Sequence, residues 1–292
     1  LTGCTTTPPS EGPGVVATPI EVDPEKSSEE SPSADEASET DTIAATNSKP
    51  KPKAEKEPAP AVNEPTQGAA ALATEAGEKV QWASSASTLR EAYELSGRAA
   101  DLSPKDSTIA LQHAICAVRY SQCLPGIDQP AKACKEAIAS MNSAGLSGSA
   151  LDAKAAYYRA SLTGLIMRSQ GLAAAGKIPE LEALFKRSTS APGIEQGGPQ
   201  RALGMLYLKA PPWPTGIGDI ELAIENLEQA ANSYPAFPYN HVCLARAYAE
   251  DGMSDEAIER LNKAEGLLSS GNWGAIGAAW RQEIAEIRKS AN

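Results

Sequence analysis

Aromatic side chains, histidines and long apolar runs are scarce in this chain of 292 residues. Phe, Trp and Tyr together make up 5% of the residues, and the two histidines are His113 and His241. No apolar run approaches the 18 or so residues that a membrane-spanning helix needs. Sustained alternation of β-branched and polar residues, which is typical of strands, is also nearly absent. The sequence therefore argues against a membrane span and against a β-rich fold.

The chain also lacks the spacings that catalytic and metal sites require. Neither histidine has a carboxylate or a cysteine at metal-ligand spacing, and a lone histidine on a helix usually serves packing. The segment Gly216-Ile217-Gly218 precedes a predicted helix but follows no strand, so it does not fit a phosphate-binding loop. We therefore predict that the protein is not an enzyme and that it uses no metal and no cofactor.

Composition divides the chain near residue 78. Residues 5–78 contain no aromatic residue and hold eleven of the 22 prolines. They carry 15 acidic residues against five lysines, so −10 of the total net charge of −11 lies there. Such a segment cannot bury enough apolar surface to offset the entropy lost on ordering. We predict that residues 1–78 form a lipidated N-terminus and a disordered acidic tether, and that residues 79–292 form one helical repeat domain.

The remaining 214 or so residues are nearly neutral, with a net charge of about −1. They are long enough to fold as one domain with a sizeable core. No basic patch remains that would indicate nucleic-acid binding. The acidic balance of the whole chain is therefore a property of the tether, and no nucleic-acid partner is expected.

An internal repeat predicts the fold of residues 79–292. Small residues recur where two helices would cross, and large ones recur between them, at the spacings of a tetratricopeptide repeat. The clearest copy consists of Ala245, Tyr248, Gly252, Ala257, Leu261 and Ala264. A second copy, with seven residues inserted between its helices, consists of Gly204, Tyr207, Ala223, Leu227, Ala230 and Pro235. With weaker copies upstream, this pattern predicts an all-α, irregular tetratricopeptide-repeat-like α-solenoid of antiparallel helix pairs, a fold that usually binds peptides or proteins.

The insertion in the second copy is a candidate binding loop. It contains Pro211, Pro212, Trp213 and Pro214, and the prolines make it stiff. A stiff loop with a tryptophan suits a partner or ligand anchor, because tryptophan is enriched at binding hot spots. The other interpretation, which we favour here, is that Trp213 plugs the space between two helix pairs. In that case Arg201 and Asn240 would fix the loop by hydrogen bonds, so the two residues join the candidate site.

Leu1-Thr2-Gly3-Cys4 resembles the end of a bacterial lipoprotein signal. In such a signal an apolar residue and two small residues precede the cysteine that takes the lipid. We expect lipidation at Cys4, with two or more acyl chains, because one chain binds membranes only marginally. Thr5 follows the cysteine, and by the sorting rule of enteric bacteria this residue favours the periplasmic face of the outer membrane. Membrane contact would then be through the lipid alone.

Four further cysteines lie in the domain: Cys116, Cys123, Cys134 and Cys243. In an oxidising periplasm they could pair, and four cysteines allow three connectivities. If a disulfide forms, we predict that it joins Cys123 to Cys134, which flank a predicted loop between antiparallel helices. Four unpaired thiols, which behave as small hydrophobic side chains, remain an alternative.

The segment from Gly198 to Pro214 resembles the signature of the TRAP-transporter-associated T component. The resemblance continues through Gly218-Asp219 and Pro238–His241 and covers about residues 85–270. It implies a periplasmic lipoprotein with degenerate tetratricopeptide repeats that contacts the solute-binding protein of a TRAP-type importer. It also implies a trimer with a channel through each protomer. The long acidic tether departs from that family, and the alternative function is a generic scaffold lipoprotein for envelope protein complexes.

Overall fold

A computed structural model describes residues 68–81, 83–123, 128–148, 151–170 and 176–291 of the chain. Within these ranges the protein is all-helical and has no strand, which confirms the predicted fold class. The helices are α1 (Ala69–Gln81), α2 (Ala86–Leu102), α3 (Ser107–Gln122), α4 (Asp128–Ser143), α5 (Ala153–Gln170), α6 (Ile178–Ser188), α7 (Gly198–Lys209), α8 (Ile220–Ser233), α9 (Pro238–Glu250), α10 (Ser254–Ser270) and α11 (Gly274–Ala291). None of the described helices is both long and apolar enough to span a bilayer.

The helices form two layers, as expected for an α-solenoid of antiparallel pairs. Each helix packs against the next one along the chain, because the short connections force neighbours to run antiparallel. The odd-numbered helices also contact one another, α1 with α3, α3 with α5, α7 with α9 and α9 with α11. The odd-numbered helices therefore form an inner layer, and the even-numbered helices cover its outer face.

The repeat positions lie where the sequence predicts them. Ala245, Ala257 and Ala264 are completely buried, between α9 and α10. Gly252 occupies the turn between these helices with φ +82°, a conformation that favours glycine. In the second copy, a Cβ on Gly204 would lie 2.7 Å from the side chain of Leu227. Small residues are thus required where the paired helices cross.

Side-chain caps stabilise the starts of two helices. The carboxylate of Asp219 accepts a hydrogen bond from the backbone N–H of Leu222 at 3.0 Å, which stabilises the first turn of α8. The side-chain oxygen of Asn272 accepts from the backbone N–H of Gly274 at 3.2 Å, at the start of α11. Local polar residues therefore place both helix starts.

The helical domain begins ten residues before its predicted start at residue 79. Helix α1 starts at Ala69, and its Leu72 and Ala76 are buried in one apolar cluster with Ala92 and Ile109. The prediction of disorder is wrong for residues 69–78. It rests on the mean composition of residues 5–78, in which the acidic, proline-rich part is much longer than the short alanine-rich helix. Cys4 and the rest of residues 1–67 lie outside the described residues.

The last helix of the inner layer, α11, contacts the segment that follows the first helix, α1. The backbone N–H of Ala275, in α11, donates to the carbonyl oxygen of Ala83, between α1 and α2, at 3.1 Å. Ala83, Leu89 and Ala275 belong to one apolar cluster at this contact. Gly274 has φ +56°, and a Cβ there would lie 2.3 Å from the Ala83 oxygen. The solenoid thus closes on itself through a narrow contact that we call the seam, defined by Ala83, Leu89, Gly274 and Ala275.

Candidate functional site

The loop between α7 and α8 is held in shape by its own backbone. The N–H of Gly218 donates to the carbonyl oxygen of Pro211 at 2.8 Å, and the N–H of Gly216 donates to that of Pro212 at 3.1 Å. A Cβ on Gly216 would lie 2.4 Å from the Pro211 oxygen, and one on Gly218 would lie 2.2 Å from the oxygen of Ala210. Glycine is therefore required at both positions, and prolines with internal hydrogen bonds make the loop rigid.

Trp213 points out of this loop and is 84% exposed. The interpretation of Trp213 as a plug between helix pairs is therefore wrong. The reason is that Ile217, from the same loop, is partly buried against the core cluster that contains Tyr207, so the inward space is already taken. Leu222, in the first turn of α8, is a second exposed apolar side chain at this end of the helix pair.

Arg201 and Asn240 do not brace the Trp213 loop, which corrects the second part of that prediction. Arg201 lies in the first turn of α7, about 12 Å along the helix from its C-terminus. Its guanidinium donates to Oδ1 of Asn240 at 2.5 Å, and Nδ2 of Asn240 donates to the carbonyl oxygen of Gln196 at 3.0 Å. The pair therefore fastens the segment before α7 to the start of α9.

Two adjoining cavities of about 440 and 300 Å³ lie on the inner face of the helical layer. Both are within the size range of small-molecule sites. Five residues line both cavities: Arg119, Glu195, Phe237, Ile276 and Trp280. None of these five residues is among the sequence-predicted site residues, because they lie on α3, α11 and two connecting segments that only the closed solenoid brings together. No local sequence signal marks them as a set.

Stacked aromatic rings form one side of the smaller cavity. The rings of Tyr239 and Trp280 are parallel within 15°, with centroids 5.0 Å apart. Phe237 meets Trp280 edge to face at 5.5 Å. The guanidinium of Arg201 lies 4.9 Å above the Phe237 ring and 5.6 Å from the Tyr239 ring, both within cation–π range. The site therefore combines an aromatic surface with a buried cation.

Both carboxylates of the cavity wall have partners. Glu195 pairs with Arg119 and accepts a hydrogen bond from the hydroxyl of Tyr158 at 2.7 Å. Burial, and then the charge of Glu195, raise the pKa of Tyr158 well above its ordinary range, so this hydroxyl keeps its proton and donates.

The second carboxylate, Glu283, lies on α11. It accepts from the guanidinium of Arg246 at 3.1 Å and from the hydroxyl of Tyr239 at 3.2 Å. Burial also raises the pKa of Tyr239. Each carboxylate is thus bound by one arginine and one protonated tyrosine.

The two histidines occupy packed positions inside helices. Nδ1 of His113 lies 3.0 Å from Oγ of Ser96, and its ring stacks on Tyr93 at 5.2 Å. Burial lowers the pKa of His113 to about 4, so its ring is neutral at pH 7. Nε2 of His241 lies 2.9 Å from the carbonyl oxygen of Pro235. In the described parts of the chain, no three His, Cys, Asp or Glu side chains cluster as metal ligands would.

The four described cysteines are free thiols, so the predicted disulfide between Cys123 and Cys134 is absent from the structure. Cys134 is fully buried, and its thiol donates to Oγ of Ser121 at 3.4 Å. Cys123 follows α3 and packs instead against the apolar cluster at the seam. Cys243 is a buried thiol on the inner helix α9, and burial raises its pKa to about 12.

Comparison with family models finds no match to this chain, and comparison with curated proteins finds none. The similarity to the TRAP-associated T component therefore stays a prediction that rests on the residues quoted above.

Proposed function

We propose that this chain is an envelope lipoprotein that acts by binding another protein, as an accessory of a TRAP-type solute importer. Its partner would be the periplasmic solute-binding protein. The observation that carries the proposal is the 84% exposure of Trp213 on a rigid loop. A large exposed ring that is already held in place loses little conformational entropy when a partner covers it.

The surroundings of Trp213 support this choice of contact surface. The loop lies within the segment that resembles the T component, and Leu222 adds a second exposed apolar side chain at the start of α8. Lipidation at Cys4, a trimeric state and a position at the periplasmic face of the outer membrane belong to the same proposal. The protein would act without catalysis and without a cofactor.

The proposal is tested with the purified solute-binding protein of a TRAP importer from the same organism. We expect Trp213→Ala to weaken binding by roughly 30-fold, or about 2 kcal/mol, because a hot-spot ring is lost. Leu102→Ala is the matched control, because Leu102 is another exposed apolar side chain, on α2. Titration calorimetry measures both affinities. No binding, or equal affinity for both variants, would contradict the proposal.

A generic scaffold for envelope complexes is the second candidate. The two-layered solenoid favours it, because such stacks serve many unrelated protein partners. A photo-reactive residue at position 213, in cells, separates the two functions. A cross-link to a solute-binding protein supports the importer accessory, whereas a cross-link to other envelope proteins alone supports the scaffold. Replacing Cys4 by alanine in the same cells should abolish labelling by a palmitate analogue, which tests lipidation separately.

A further inference from the structure

Arg201 is a buried cation on the wall of the smaller cavity. Arg201 as a whole residue is only 8% exposed. Its guanidinium donates to Oδ1 of Asn240 and to the carbonyl oxygens of Glu195 at 3.2 Å and Gln196 at 3.4 Å. Among the described residues, no carboxylate oxygen lies within 4.0 Å of it. Neutral oxygens and aromatic faces therefore solvate a charge that no carboxylate neutralises.

The nearby carboxylates do not offset this charge by direct contact. Glu195 is bound to Arg119 and Tyr158, and Glu283 is bound to Arg246. A buried charge without a counter-charge is costly, and an anion that enters the cavity would relieve that cost. The electrostatics of the cavity therefore favour a negatively charged guest.

Arg201 also has donors left for such a guest. A guanidinium carries five N–H groups, and three hydrogen bonds to the protein leave at least two of them unused. In the described part of the chain, the buried side-chain polar atoms without a partner are Oε1 of Gln200 and Nδ1 of His241. Nε of Arg201 makes no hydrogen bond to the described residues and is not one of these two atoms, so its N–H is not sealed in the core.

We propose that this cavity binds an organic anion with one or two aromatic or aliphatic ring systems. The negative group, a carboxylate or a sulfonate, would take the free N–H groups of Arg201, because hydrogen bonds between charged groups are the strong ones. The ring body would lie against Phe237, Tyr239 and Trp280, and a volume of about 300 Å³ suits a molecule of that size. This site is inside the helical layer and is independent of the Trp213 contact with a protein partner.

Two fluorescent probes test the proposal on the full chain. 8-Anilinonaphthalene-1-sulfonate has an apolar ring body and one negative charge, and N-phenyl-1-naphthylamine has the same body without the charge. We expect one sulfonate probe per chain, bound at least about tenfold more tightly than the neutral probe, as one charge-assisted contact supplies. Equal affinities, or no binding of the sulfonate, would overturn the proposal without any substitution.

A matched pair of variants at Met205 tests the role of Arg201 while leaving that side chain in place. Met205 lines the same cavity and lies one helical turn from Arg201, so the two residues share a face of α7. Met205→Glu places a carboxylate beside the guanidinium, and Met205→Gln has the same shape without the charge. We expect the glutamate variant to lose about tenfold in affinity for the sulfonate relative to the glutamine variant. Equal affinity of the two variants would overturn the role of Arg201.

Three further variants locate the probe. Arg201→Met should weaken the sulfonate and leave the neutral probe unchanged, whereas Arg90→Met, at an exposed arginine of α2, should change neither. Ala279→Phe, on the cavity wall, should block both probes by filling the space. If both probes still bind Ala279→Phe, they lie elsewhere and the proposal fails. Should Arg201→Met not fold, the Met205 pair gives the decision.

Discussion

Trp213 and Trp280 carry the same side chain in opposite surroundings. Trp213 is 84% exposed, whereas Trp280 is 5% exposed and packs against Phe237 and Tyr239. We expect Trp213→Ala to change the free energy of unfolding by less than about 0.5 kcal/mol, as for most surface substitutions. Trp280→Ala should cost about 3–5 kcal/mol, because it leaves a cavity in the core. Urea denaturation measures both. A large loss of unfolding free energy for Trp213→Ala would contradict its exposed position and show that the side chain packs in the core.

His113 should make stability depend on pH. Burial lowers its pKa in the folded state to about 4 from the ordinary 6.5, although the charges of Glu136 and Asp101 act in the opposite direction. Between these two pH values the unfolded chain binds a proton that the folded chain does not. The stability that neutral His113 contributes is therefore complete above about pH 6.5 and is lost as the pH falls towards 4.

His113→Gln removes this titration and keeps a polar group beside Ser96. From pH 7 to pH 5 the parent should lose about 2 kcal/mol more stability than the variant. Urea denaturation at both pH values measures the difference. His241 is present in both proteins, so its own titration cancels. Parallel losses in parent and variant would show that the folded and unfolded chains protonate His113 alike.

At the scale of single elements, α1 is the helix that the composition of residues 5–78 failed to predict. Its buried Leu72 packs in a cluster with α2 and α3, so α1 is part of the domain core. We expect Leu72→Ala to cost about 2–4 kcal/mol, whereas Leu102→Ala, at a side chain 57% exposed, should cost under about 0.5 kcal/mol. Thermal and urea unfolding measure both. Equal, small losses would place α1 outside the cooperative unit.

The remaining elements show which local patterns carry information. The stripe Trp273, Ile276, Trp280, Ile284 and Ile287 predicts a helix with one buried face, and α11 has that face. The caps Asp219 and Asn272 predict where α8 and α11 start. Patterns of this kind depend on neighbours within one or two turns, so the sequence alone is sufficient to read them.

At the scale of the whole molecule, the seam joins the start of α11 to the segment between α1 and α2. Gly274→Ala would place a methyl group 2.3 Å from the carbonyl oxygen of Ala83, on a backbone with φ +56°. We expect a cost of about 1–3 kcal/mol and faster hydrogen exchange at the amide of Ala275, whose hydrogen bond crosses the seam.

Gly266→Ala is the control for this substitution. Gly266 lies inside α10, and a Cβ there meets nothing within 4 Å, so the change should stabilise the helix by up to about 1 kcal/mol. Hydrogen exchange followed by mass spectrometry, together with urea denaturation, measures both variants. If exchange at Ala275 is the same in the two proteins, the seam does not hold the solenoid closed.

The helical fold, the repeat positions and the helix starts after Asp219 and Asn272 all follow from local patterns in the sequence. Alanines at helix crossings and caps at helix starts act through spacings of three or four residues, and a reader of the sequence sees those spacings directly. The same local evidence marked the loop around Trp213 as rigid. It could not say which way the ring points, because Trp213 and Ile217 compete for one inward position.

The closure of the solenoid at Ala83 and Ala275, and the set of residues that face the inner cavities, follow from the tertiary structure and not from any local pattern. Arg201 illustrates the difference: its neighbours Phe237, Tyr239 and Asn240 are more than 30 positions away, and its lack of a carboxylate partner depends on how Glu195 and Glu283 are bound elsewhere. The contacts of Arg201 need the packing of α7 against α9, and the contact of Ala83 with Ala275 needs the small rotation between successive helix pairs, added over the whole stack. No single segment of the sequence encodes that sum.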